Sequence, residues 1–280
     1  MYCSFISRVL YYYKKDSSMK IRSVIGDPIA HSLSDVLHKE LYSQLDIQAK
    51  YSKKHIKEID LESFALKNKA HEYNVTIPHK EKIIQSLDAL DSSALSVGAV
   101  NCVKDNKGYN TDWKGFVLSL KKNNIDVSQK KCAIIGAGAT AKSIAYALIE
   151  LRCKSISIYN RTHENRISLE NWIRSKIKTY NTKNYDIIIN STSLGMWPNI
   201  LESPMIRFIT SKDQIFYDVI YNPIKTKFLK EAQEIGAKTL NGIDMLIYQA
   251  ILSNEIWLGK KLLHQINFND IKKSIMEKIC

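Results

Sequence analysis

Lys131-Cys132-Ala133-Ile134-Ile135-Gly136-Ala137-Gly138-Ala139-Thr140-Ala141 is the stretch on which the fold turns. Its apolar first half reads as a strand buried on both faces of a parallel sheet. The glycines behind it allow a tight turn and close backbone approach, and the helix they open offers its N-terminus to a pyrophosphate. Ala141 at the third glycine position is a permitted variant. Strand–helix alternation continues downstream, with strands expected at Ser155 to Tyr159, Tyr185 to Asn190, Gln214 to Val219 and Lys238 to Leu240. This pattern is a doubly wound α/β domain, which binds ligands at the carboxyl ends of its strands.

The second strand of that unit runs into Tyr159-Asn160-Arg161-Thr162. An acidic residue there would hold the ribose 2′-hydroxyl of NAD. Arg161 stands there instead, with Thr162 as a second donor, and a guanidinium grips a 2′-phosphate; the expected cofactor is NADP. Asn190-Ser191-Thr192-Ser193-Leu194-Gly195-Met196 follows another buried strand and falls at the ligand-binding end of the sheet. Asp218-Val219-Ile220-Tyr221 leads into a turn at Asn222-Pro223, with Tyr221 toward the cleft, and Asn241-Gly242 marks a further turn.

Upstream, a first strand is expected at Ile21 to Ile25, and Ser34 is placed to cap a helix carrying Leu37, Leu41 and Leu45 on one stripe. Ser32 and Ser34, two hydroxyls at that helix start, suit a carboxylate. Tyr73, Val75 and Ile77 alternate with Asn74 and Thr76, which places the two polar side chains on one face of a strand. Pro78 ends it, and Lys80 opens an expected helix with Ile83, Ile84 and Leu87 inward. Ala99 to Val103 and Tyr109 to Thr111 flank Asp105-Asn106-Lys107-Gly108, read as a hairpin turn that brings Asn101 close to Asn110 and Asp112. Lys80 and Asp112 are then an acid–base pair in the making. Burial disfavours the charged lysine and a neighbouring carboxylate restores it, so one site has both a proton donor and a route to its neutral form.

At 280 residues, with 45% hydrophobic and 25% charged residues, the chain has the make-up of a soluble protein of two domains. The net charge is 41 − 28 = +13. The lysines are scattered and form no single stripe, which favours encounter with anionic small molecules over a nucleic-acid partner. Cys3, Cys102, Cys132, Cys153 and Cys280 are odd in number and none are spaced as metal ligands; reduced thiols in the cytoplasm and no metal site are expected. No apolar run has the length of a membrane span. Residues 1–18 carry Arg8 inside an apolar run and lack a cleavage site, unlike a signal peptide, and are expected to be a dispensable extension before Met19.

Taken in order, the pieces resemble shikimate dehydrogenase from about Ile21 to the C-terminus. Gly26-Asp27-Pro28-Ile29-Ala30-His31-Ser32-Leu33-Ser34, Asn74-Val75-Thr76-Ile77-Pro78-His79-Lys80, Gly98-Ala99-Val100-Asn101, Asn110-Thr111-Asp112, the glycine turn with Asn160-Arg161-Thr162, and Gly242-Ile243-Asp244-Met245-Leu246-Ile247-Tyr248-Gln249 carry the resemblance. It implies two α/β domains around a cleft: a substrate-binding domain (19–111 and 242–280) and a Rossmann-type NADP-binding domain (112–241). It implies NADPH-linked reduction of 3-dehydroshikimate to shikimate, with Lys80 as acid/base and Asp112 as its partner. Ser32, Ser34 and Tyr221 would hold the substrate carboxylate; Thr76, Asn101 and Gln249 the ring hydroxyls; Asn74 the pocket floor. NADP would lie on Gly136, Ala137, Gly138, Ala139, Thr140, Asn160, Arg161, Thr162, Thr192, Val219 and Gly242. A monomer or homodimer with no membrane partner is implied.

The chain departs from the family pattern at a few positions. Asp35 stands in place of a usual proline and is expected to face solvent. Cys102 replaces a usual threonine, Ala139-Thr140 a glycine–alanine pair, and Asn165 a frequent second basic residue beside Arg166. The rival readings are a quinate/shikimate dehydrogenase using NAD, a folate-type dehydrogenase of similar build, and a non-catalytic nucleotide- or nucleic-acid-binding protein. The Ser-x-Ser loop, Arg161 and the Lys80–Asp112 pair speak against them.

Overall fold

Residues 19–177, 184–204 and 211–279 are described by a computed structural model of the chain. The expected extension at 1–18, with Cys3, and the terminal Cys280 lie outside the described residues.

The first part of the chain runs β1 (Lys20–Gly26), α1 (Ser34–Gln44), β2 (Ala49–His55), α2 (Leu61–Lys67), β3 (Tyr73–Val75), β4 (Ala89–Leu90), α3 (Ser92–Val97), β5 (Cys102–Lys104) and β6 (Lys107–Tyr109). These strands form a six-stranded sheet in the order β2-β1-β3-β5-β6-β4. β1 is parallel to β2 and β3, while β5 is antiparallel to both β3 and β6. α4 (Asp112–Lys122) then leads into β7 (Lys131–Ile135), α5 (Ala139–Glu150), β8 (Ser155–Tyr159), α6 (His163–Arg174), β9 (Ile187–Asn190), β10 (Ile215–Asp218), α7 (Lys227–Glu234) and β11 (Lys238–Leu240). This second sheet is all parallel, in the order β11-β10-β9-β7-β8. The chain is therefore a mixed α/β protein built on two sheets.

The central strand β7 shows why the second sheet is parallel and covered on both faces. Cys132 and Ile134 point into one apolar cluster with Ile144, Leu148 and Phe116, and Ala133 and Ile135 point into another with Phe228 and Leu229. A strand apolar on both faces is stable only with helices on both sides. The last helices, α8 (Ile243–Leu258) and α9 (Phe268–Met276), return to the first part of the chain. Ile243, Ile247 and Ile251 of α8 and Ile271 and Ile275 of α9 bury against Leu37 and Leu41 of α1.

Three local expectations are corrected. Ser34 is the first residue of α1 and not its cap; Leu33, whose side chain has no acceptor, occupies the cap position, and Ser32 Oγ accepts the Ser34 N–H at 3.3 Å and donates to Ser34 Oγ at 3.0 Å. No α-helix opens at Lys80; a 3₁₀ turn at Lys82–Ser86 takes its place. The Lys80 carbonyl that a helix would offer to residue 84 is taken by the Val100 N–H at 2.7 Å, and Ile84 bonds to Glu81 O instead. The hairpin turn is only Asp105-Asn106, both left-handed (φ 48° and 55°), a conformation that Asp and Asn tolerate. Gly108 lies inside β6, where a Cβ would stand 2.6 Å from Val100 Cγ2 and 2.8 Å from Leu87 Cδ1, so packing and not turn geometry demands the glycine.

Candidate active site

A cleft of about 250 Å³ opens between the two sheets. Lys80 is aimed into it from the segment after β3, and Asp112 from the first turn of α4, where helix N–H groups favour a carboxylate. Lys80 Nζ donates to Asp112 Oδ2 at 2.6 Å, with the side chains only 11% and 7% exposed. Asn101 locks the pair from below: its Nδ2 donates to Asp112 Oδ1 at 2.8 Å and lies 3.3 Å from Gln249 Oε1, and its Oδ1 accepts the Thr111 N–H at 2.7 Å. The Thr111 hydroxyl donates to the Gln249 carbonyl at 3.0 Å, so α8 is tied to the same cluster.

Asn74 is fully engaged behind this group. It accepts from the Tyr51 hydroxyl at 2.7 Å and donates to Asn101 O and Ser253 Oγ, both at 3.0 Å. Thr76, one residue past β3, lines the cleft above it. Ser32 and Ser34 line the far end. Lys53 holds their loop by donating to Ala30 O at 3.1 Å and Ser32 O at 3.0 Å. Asp35 does not simply face solvent: it is half-buried, 3.6 Å from Lys53 Nζ, because that ammonium sits under the same loop. Tyr221 reaches across from the end of the second sheet and bonds the Leu33 backbone; burial pushes its hydroxyl up to about 12, so it remains a donor.

Beside the cleft, the turn from β7 into α5 offers mostly backbone. Gly136 has φ +114°, and a Cβ there would stand 2.5 Å from Ser191 Oγ. Gly138 caps α5 without any side-chain bond, and a Cβ on it would meet no atom within 4 Å. The uncapped N–H groups of Ala139, Thr140 and Ala141 and the open space before Gly138 fit a pyrophosphate. Thr140, Thr192, Val219 and Gly242 line the same cleft as Lys80, whereas Gly136, Ala137, Gly138, Ala139, Asn160, Arg161 and Thr162 lie outside its lining, toward β7 and β8. Asn160 Nδ2 donates to Thr162 O at 2.9 Å and shapes the turn after β8. Arg161 is exposed and has no ion pair or hydrogen bond among the described residues, while Arg166 is spent on Glu170 at 2.7 Å. The free guanidinium suits a 2′-phosphate and Arg166 does not replace it.

Sequence reasoning missed several lining residues. Ser191 donates to Ile135 O at 2.7 Å and so fastens the β9 loop to the end of β7. Met196, Met245 and Leu246 make the cleft partly apolar, and His31 lines it with its pKa lowered by burial and by Lys53. Met196, Met245 and Leu246 lay inside motifs already singled out, but side-chain direction is set by tertiary packing. Among the described residues there is no cluster of three metal-ligating side chains and no helix long and apolar enough to cross a membrane.

Residues 24–103 match the family described as shikimate dehydrogenase substrate binding domain, and residues 118–223 match the family described as shikimate / quinate 5-dehydrogenase. A shikimate dehydrogenase (NADP(+)) of Methanococcus aeolicus is 39% identical over 88% of this chain and 94% of its own. One of Caldicellulosiruptor bescii is 37% identical over 91% of this chain and 96% of its own. A crystal structure of a shikimate dehydrogenase in complex with NADP+ superposes with a TM-score of 0.85 at 34% identity, covering 94% of this chain and 96% of that one. Two sheets flanking a cleft, with a lysine–carboxylate pair opposite a glycine turn, define a dinucleotide-linked oxidoreductase. The chain belongs to the shikimate dehydrogenase family.

Proposed function

We propose that this chain catalyses the reversible reduction of 3-dehydroshikimate to shikimate with NADPH, a step toward chorismate and the aromatic amino acids, as a monomer or homodimer in the cytoplasm. The observation that carries the reading is the buried Lys80–Asp112 pair at 2.6 Å, set across a cleft from the uncapped start of α5. Residues 19–111 and 242–280 serve as the substrate-binding domain and 112–241 as the NADP-binding domain. In support, the two sheets and the two family matches fall on either side of Asp112.

NADPH, when bound, supplies the hydride. Lys80 stands by the ring oxygen, stabilises the negative charge that builds there, and delivers the proton; in the oxidising direction it receives the proton back. Asp112 keeps Lys80 oriented and accepts from the neighbouring ring hydroxyl. Ser32, Ser34 and Tyr221 donate to the substrate carboxylate. Thr76, Asn101 and Gln249 bind ring hydroxyls, and Asn74, its own bonds all made within the protein, holds the floor. Gly136, Ala137, Gly138, Ala139 and Thr140 receive the pyrophosphate; Arg161 and Thr162, shaped by Asn160, receive the 2′-phosphate; Thr192, Val219 and Gly242 line the inner end of the cofactor site.

NADPH formation followed by absorbance, with shikimate or quinate crossed against NADP or NAD, tests this. Turnover confined to shikimate with NADP is the expected result. Comparable turnover with quinate or NAD would reassign the specificity, and no turnover by folded protein would refute the activity.

A further inference from the structure

Asp218 ends β10 with 0% of its surface exposed, and the proposed chemistry does not use it. Its Oδ1 accepts from the Ile220 N–H at 3.0 Å and from Asn190 Nδ2 at 3.1 Å, and its Oδ2 accepts from the Thr226 hydroxyl at 2.6 Å. Asn190, its register partner at the end of β9, spends its own Oδ1 on the N–H and the hydroxyl of Thr192, at 3.0 Å and 2.7 Å. One carboxylate thus governs the loop at Val219–Ile220 directly and the loop at Thr192 through a single amide. Both loops line the cleft. Gly242 closes on the same segment from the other side: its N–H donates to Ile220 O at 3.0 Å, and a Cβ would stand 1.9 Å from Val219 O.

The donors around the carboxylate are all neutral. Of the charged and titratable groups nearby, Lys225 and Lys227 flank Thr226 but are exposed, and Lys227 lies 3.9 Å from Glu231. Tyr217 is the preceding residue on the strand, and Asp244 of α8 is held by Lys272 and Asn123. Burial pushes Asp218 up from the usual carboxylate value of 3.8 to about 6, against three hydrogen bonds that pull it down. Because the folded-state pKa is raised, the native state gains stability from protonation as pH falls from about 6 toward 3.8. Above that window the buried charge is held at a cost to stability, as is common where function sets the residue.

We infer that Asp218 is a positioning residue for cofactor binding: its ionised carboxylate holds the Thr192 and Val219–Ile220 loops in the shape that accepts the dinucleotide. A protonated acid places an O–H among three donors and must turn one of them away. The inference rests on the proposed cofactor site. Calorimetric NADPH binding to the wild-type chain above pH 6 tests that site separately.

The decisive measurement is NADPH affinity and thermal midpoint of the full chain above and below pH 6, for wild type, Asp218→Asn and Thr226→Val. The 2′-phosphate itself titrates near pH 6, so the contrast between proteins is the readout. Asp218→Asn is expected to bind NADPH about tenfold more weakly above pH 6, the cost of roughly one hydrogen bond. It is expected to show only the phosphate's share of the acid loss, and to melt no lower than wild type above pH 6. Thr226→Val, nearly isosteric, removes a donor to the carboxylate and is expected to move the acid limb of binding to higher pH. Wild-type affinity in Asp218→Asn with an unchanged acid limb overturns the inference. An unmoved limb in Thr226→Val does the same, even if the asparagine variant fails to fold.

Discussion

On the substrate side of the cleft, Lys80, Asn101, Asp112 and Gln249 arrive from four separate segments and meet through side-chain contacts of 2.6–3.3 Å. On the side proposed for the cofactor, Gly136, Gly138 and Gly242 offer backbone and little else, and the cap of α5 uses no side chain. The two proposed ligands make different demands. A small hydroxylated ring must be held at each oxygen by a directed donor or acceptor, whereas a pyrophosphate is met by a row of N–H groups that any sequence supplies if the chain can approach closely. Damage should therefore be chemical around Lys80 and steric at the glycines.

The sharpest break in that comparison is Lys80→Ala. It is expected to lower kcat by about 10²–10⁴-fold, the usual share of a general acid–base group, with calorimetric NADPH affinity intact. Equal loss of cofactor affinity would mean that the lysine holds the fold together and that the walls are not separable.

Next come two glycines on the other wall, expected to fail differently. In Gly242→Ala the new Cβ meets the Val219 carbonyl at 1.9 Å, a clash against fixed backbone that is expected to cost about 1–3 kcal/mol of stability along with NADPH binding. Gly138→Ala meets open space, so its thermal midpoint should barely move while NADPH affinity falls. If both variants melt early, the turn is structural and nothing approaches it.

Arg161→Ala is expected to weaken NADPH about tenfold, one charge-assisted contact in an exposed setting, and to leave NADH kinetics unchanged; unchanged NADPH kinetics would remove the 2′-phosphate assignment. Smallest of all, Tyr51→Phe deletes the 2.7 Å bond to Asn74, worth about 1 kcal/mol. It is expected to raise the KM for shikimate a few-fold without touching NADPH affinity. A change in cofactor KM there would show that the two walls communicate.

The contrast also explains what could be read in advance. The glycine turn and its strand form a contiguous signal, because a βαβ unit folds locally. The alternation from Lys131 onward likewise announced the parallel sheet, since strands covered on both faces must be apolar throughout. The expected helix at Lys80 failed for a long-range reason: the Val100 N–H takes the Lys80 carbonyl at 2.7 Å, and no local propensity encodes that bond. Gly108 read as a turn residue because glycine is common in turns, yet Leu87 and Val100 crowd it inside a strand.

By itself, then, the sequence determined the α/β class, the glycine turn and the identity of the charged groups, since periodicity and residue chemistry are local properties. The tertiary structure alone decided that Asn101, Thr111 and Gln249 converge on Lys80 and Asp112, that Lys53 sits under the Ser32–Ser34 loop, and that Asp218 is buried behind the cleft with three neutral donors. Those outcomes depend on which distant backbone groups compete for each hydrogen bond, and on the burial that gives each bond its strength.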